Sequence, residues 1–95
     1  MALAVPRREV SHPHIVRTPG LCGGRPVIHG TRFPVSSVVY YILHEGMTPE
    51  ELLREFSHLS LAQVYDALAY YYDNREAVDE EMRAEREAAP GESYP

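Results

Sequence analysis

The chain of 95 residues has no lysine, no tryptophan and a single cysteine, Cys22. All nine basic residues are therefore arginines, whose planar guanidinium groups suit carboxylates and phosphates and stay charged at any working pH. One cysteine cannot close an internal disulfide, so a cytoplasmic protein is expected. There is no run of eighteen apolar residues, which excludes a membrane-spanning helix. Residues 1–10 lack the apolar stretch of a signal peptide. No Lys-Ser or Lys-Thr follows Gly23-Gly24-Arg25, so these glycines are not a P-loop. The histidines (His12, His14, His29, His44, His58) show no metal-ligand spacing beyond His12-x-His14, and Cys22 is the sole thiolate. No metal, cofactor or catalytic dyad is expected, and the chain does not read as an enzyme.

What is present is ordinary globular composition, 44% hydrophobic and 24% charged, enough for one domain with a modest core. The net charge of −5 is unevenly spread. Residues 1–34 carry Arg7, Arg8, Arg17, Arg25 and Arg32 against Glu9 alone, a balance of +4. Residues 35–95 carry four arginines against thirteen acids, a balance of −9. A basic head on an acidic body implies contact surfaces of opposite preference. The head suits phosphates or an acidic partner, and the body repels nucleic acid.

Hydrophobic spacing predicts the elements. The β-branched pair Ile15-Val16 predicts a short strand. Extended pieces near Arg25–Ile28 and Thr31–Phe33 flank His29-Gly30 as a tight hairpin, with Pro26 confining it to edge structure. Val35, Val38, Val39, Ile42 and Leu43 then fall on one helical face, with Pro34 in the first turn and Gly46 past the end. Thr48-Pro49-Glu50-Glu51 is a capping box opening a short helix that buries Leu52, Leu53 and Phe56. Ser60-Leu61-Ala62-Gln63 opens a longer one through Tyr71 and Tyr72, which Asn74 interrupts or lets run on to Met82. The fold class is mainly α: a short N-terminal β hairpin, a three-helix helix-turn-helix core and a C-terminal helical extension.

A recognition helix offers polar and cationic side chains to base edges and phosphates. The third helix offers Gln63 and Ser60, but also Asp66 and Asp73. DNA binding would draw on Arg25, Thr31, Arg32, Ser60 and Gln63, with the arginines supplying the electrostatic attraction. Alternatively, Arg25 and Arg32 tie the hairpin to acids on the helices, and the helical unit is a protein-binding platform. Tyr70-Tyr71-Tyr72 point about 100° apart on a helix and cannot all face one core. With Tyr40-Tyr41 they favour a twofold homodimer, its interface drawn from Tyr40, Tyr41, Tyr70 and Tyr71.

The run Pro19-Gly20-Leu21-Cys22-Gly23-Gly24-Arg25-Pro26-Val27-Ile28-His29-Gly30-Thr31-Arg32-Phe33-Pro34-Val35 resembles the opening signature of the family filed as domain of unknown function 433. The likeness continues through Gly46–Glu51, Ser57–Val64 and Ala67–Tyr71. Its motif residues are Gly23, Gly24, Arg25, Pro26, Gly30, Thr31 and Arg32. The resemblance implies a homeodomain-like helix-turn-helix, dimers and kinship with VapB-type antitoxins, whose toxin is a PIN-like ribonuclease. No catalytic residues carry over. The expected layout is a flexible arm over 1–14, an antitoxin-like domain over 15–73 and an acidic extension over 74–95. The expected function is an antitoxin-like regulator that binds a toxin ribonuclease and operator DNA. The alternative is a dimeric interaction module without DNA binding. The acidic extension either fills a basic nuclease groove or is a solvated helix end.

Overall fold

The computed structural model describes residues 11–88; most of the expected N-terminal arm and the end of the acidic extension lie outside them. The strands Ile15–Val16 (β1) and Val27–Ile28 (β2) pair antiparallel, Ile15 opposite Ile28 and Val16 opposite Val27. The other side of β2 is taken too. The Ile28 N–H donates to Phe33 O at 2.9 Å, and the Val35 N–H donates to Pro26 O at 2.9 Å. Sequence reasoning placed this segment at an edge, and the structure corrects that: β2 lies in the middle, wholly buried. Pro26 sits just outside the β1–β2 pairing and contributes only its carbonyl, so its missing N–H costs nothing.

The first helix, α1, spans Val35–Val39, with Pro34 as its N-cap rather than in its first turn. It continues as a wider turn over Tyr40–His44, where the Glu45 N–H donates to Tyr40 O five residues back. Gly46, at φ +79°, ends it. The wide turn breaks the predicted apolar face. Val35, Val38 and Val39 are fully buried, whereas Leu43 is 41% exposed. Ser36 and Ser37 are buried as well, so α1 is enclosed on all sides.

Both capping boxes form as the sequence requires. Helix α2 (Pro49–Glu55) starts with the Glu51 N–H donating to Thr48 Oγ1 at 3.0 Å and the Thr48 N–H to Glu51 Oε1 at 2.8 Å. Helix α3 (Leu61–Asp73) starts with the same exchange between Ser60 and Gln63. Asn74 leaves helical geometry at φ −133°, and its side chain donates to Tyr70 O at 3.0 Å. The last stretch is therefore two helices, the second being α4 (Arg75–Ala88). Leu52, Leu59, Val64, Ala67 and Tyr71 meet the valines of α1 in the core, and Val78 and Met82 bring α4 into it. Among the described residues no helix is long and apolar enough to cross a membrane.

Candidate docking surfaces

The basic head and the acidic body meet each other. Cys22, Gly23 and Gly24 have φ of 50°, 66° and 78°, a left-handed turn that the two glycines adopt without steric cost and Cys22 adopts against its side chain's preference. Its carbonyls face two arginines. Arg25 Nε donates to Cys22 O at 2.8 Å, and Arg17 Nη1 donates to Gly24 O at 3.1 Å. The same guanidinium groups pair with α4: Arg25 with Glu85, and Arg17 with Glu81 at 3.0 Å. Glu81 and Glu85 lie one helical turn apart, on the side of α4 that carries Val78 and Met82. Burial works against the charge on Arg17, but its bonds to Glu81 and to the Tyr70 hydroxyl outweigh that and raise its pKa above the ordinary value.

A second tie joins the N-terminal segment to α3. His12 Nε2 lies 2.9 Å from Asp73 Oδ2. Its Nδ1 lies 3.4 Å from Asp66 Oδ1, within ion-pair range but without hydrogen-bond geometry. The His14 N–H donates to Asp66 Oδ2 at 2.8 Å, and the His12 ring meets Tyr70 edge-on at 5.3 Å. Asp66, an obstacle to DNA binding on sequence grounds, thus anchors the strand segment.

The residues proposed for DNA contact are differently placed. Arg25 is turned to Glu85. Thr31 Oγ1 donates to Ile28 O at 2.8 Å and accepts from the Phe33 N–H at 2.9 Å, holding the turn after β2. Ser60 and Gln63 bond each other at the start of α3. Arg32 is exposed, as Ser60 is, and lines an open groove with Val16, Leu21, Val27 and His29.

The interface tyrosines also divide. Tyr40 and Tyr41 are half-buried, and Tyr41 joins a ring cluster with Phe33 and Phe56. Tyr70 is half-buried beside Arg17. Tyr71, expected at an interface, is instead 4% exposed, and its hydroxyl donates to Asp79 at 2.8 Å. Burial and that bond raise its pKa. The ring left outside is Tyr72, at 56% exposure. Arg25 pairs with a helix acid, as the alternative reading of the sequence has it, the acid being Glu85, whereas the Arg17–Glu81 pair went unforeseen. The signal was there: Glu81 and Glu85 share the apolar side of α4 with Val78 and Met82, where a solvated acid is out of place.

Among the described residues no three His, Cys, Asp or Glu side chains converge to hold a metal ion. A search of curated proteins found no match. The chain is similar to a crystal structure of a DUF433 member protein from Anabaena variabilis, with 37% identity and a TM-score of 0.69 over 74% of this chain and 68% of that one. The family profile for protein of unknown function DUF433 matches residues 15–71, from β1 through most of α3. This chain is a member of the DUF433 family.

Proposed function

We propose that this protein is a non-catalytic regulator of the antitoxin type that works by docking on other proteins. It acts as a homodimer, and the outer side of α4 engages a basic toxin ribonuclease. The observation that carries this reading is the character of α3. Leu61–Asp73 contains no basic residue, and its exposed positions include Leu61, Tyr65 and Tyr72. A helix meant for the major groove needs donors and cations there, whereas aromatic and aliphatic groups suit a protein surface. Arg17 and Arg25 support the same reading, since their charge is answered by Glu81 and Glu85. On the outer side of α4, Glu76, Glu80 and Glu87 face solvent and outnumber Arg83, which pairs with Glu80, so the side suits a basic partner.

Co-expression with the neighbouring reading frame tests this. The expected result is a co-purifying complex that salt weakens and that Glu76→Gln, Glu80→Gln and Glu87→Gln together weaken further. No complex, or one indifferent to salt and to these changes, contradicts the reading.

A second reading, operator binding, is favoured by the α2–turn–α3 arrangement and by exposed Arg32 and Arg54. It requires duplex binding whose logarithmic salt slope falls by about one on Arg32→Ala. An unchanged slope removes Arg32 from it.

A further inference from the structure

The outward face of α3 has a pattern that its exposure alone does not explain. Ala62, Tyr65, Ala69 and Tyr72 recur at intervals of three, four and three residues, and all four are exposed. Val64, Ala67 and Tyr71, on the opposite side, are buried in the chain's own core. The stripe alternates small and large and carries no charge.

We infer that this stripe docks on the same stripe of a second copy, the two α3 helices running antiparallel about a twofold axis level with Ala67. The inference rests on the homodimer reading above and names its surface. Ala62 and Tyr72 are equally far from Ala67 in sequence, and so are Tyr65 and Ala69. Turning one copy end for end therefore sets every tyrosine against an alanine: Tyr65 against the partner's Ala69, and Tyr72 against the partner's Ala62. Large against small is how facing helices interdigitate without voids, and the alanines let the axes approach to about 8 Å. A parallel arrangement in register would set ring against ring and leave gaps between the alanines. The surface is self-complementary, as a twofold interface requires.

Charge selects the same register. Ser60 and Gln63 use each other at the N-terminus of α3, leaving the Leu61 and Ala62 N–H groups outside the capping box. At the other end stands Asp73, its side chain 68% exposed and steadied by His12. An acid at a helix C-terminus opposes that helix's dipole and complements the N-terminus of another. The same twofold rotation sets Asp73 beside the partner's Leu61. The face so used is the one a helix-turn-helix lays in a DNA groove, so this dimer and major-groove reading by α3 exclude one another.

A size exchange tests the inference by sedimentation equilibrium of the full chain. The wild type is expected to dimerise. Ala69→Tyr sets ring against the partner's Tyr65, and Tyr65→Ala sets methyl against methyl; each weakens the dimer about tenfold or more. The double variant Tyr65→Ala/Ala69→Tyr restores large against small and returns the dimer toward wild-type strength. These positions are exposed, and far-UV circular dichroism confirms that each variant is folded. A wild-type dimer unmoved by either single change leaves the homodimer reading standing and overturns this surface. Single changes that weaken the dimer without rescue by the double overturn the antiparallel register. A wild-type monomer throughout the micromolar range overturns both readings.

Discussion

At the scale of single residues, the Gly-Gly-Arg signature has a backbone explanation. Gly23 and Gly24 supply positive φ so that the turn's carbonyls face Arg17 and Arg25. A methyl group added at Gly24 meets no atom within 4 Å, so Gly24→Ala pays only for conformation, about 1–2 kcal/mol by urea unfolding. A loss far above that would show tight packing at the turn instead. Glu51 makes a pH-dependent contribution. Its bonds with the Thr48 N–H and hydroxyl hold its carboxyl below the ordinary range. A depressed carboxylate stabilises the fold fully above its unfolded pKa, about 4.3, and loses that contribution as pH falls through its folded value. The melting-temperature advantage of wild type over Glu51→Ala should hold steady above about pH 5 and shrink below that range. A difference that stays constant into acid would remove the carboxylate from the cap.

At the scale of elements, the question is what holds α4. Val78 and Met82 are 1% and 3% exposed, and burial of such side chains contributes about 1.5–3 kcal/mol each. Arg17–Glu81 and Arg25–Glu85 are partly open to water, where ion pairs contribute about 1 kcal/mol or less. Apolar burial therefore fixes α4, and the arginines set its rotation. Met82→Ala should cost about 2–4 kcal/mol, while the coupling in an Arg25→Ala, Glu85→Ala double-mutant cycle should reach about 1 kcal/mol. Coupling larger than the Met82 loss would reverse this order. The same contrast explains what the sequence makes legible. Capping boxes at Thr48 and Ser60 are local, and they appear where the residues require them. The Asn74 break was open on sequence alone, because asparagine tolerates several conformations. The burial of Ser36 and Ser37 answers to α3 and α4 packing on α1, which periodicity does not register, and the wide turn at Tyr40–His44 leaves no mark in the hydrophobic spacing.

At the scale of the molecule, the two charged halves were legible, and so was a tie from Arg25 to some helix acid, but not which acid. Pairing Arg25 with Glu85 joins residues far apart in the chain, and only the fold brings α4 past the head. The tyrosine run showed that a ring must remain outside, but not which one. Tyr71 points inward because it falls on the side of Val64 and Ala67, and Tyr72 is turned out. The consequence is a helix-turn-helix whose third helix presents rings and methyl groups. The proposed dimer uses that face, leaving the outer side of α4 for the proposed toxin. A photo-crosslinking amino acid in place of Tyr65, activated in the native host, tests this most directly. The expected products are protein adducts, a doubled chain foremost, that survive nuclease treatment. Adducts that nuclease removes would contradict the proposal.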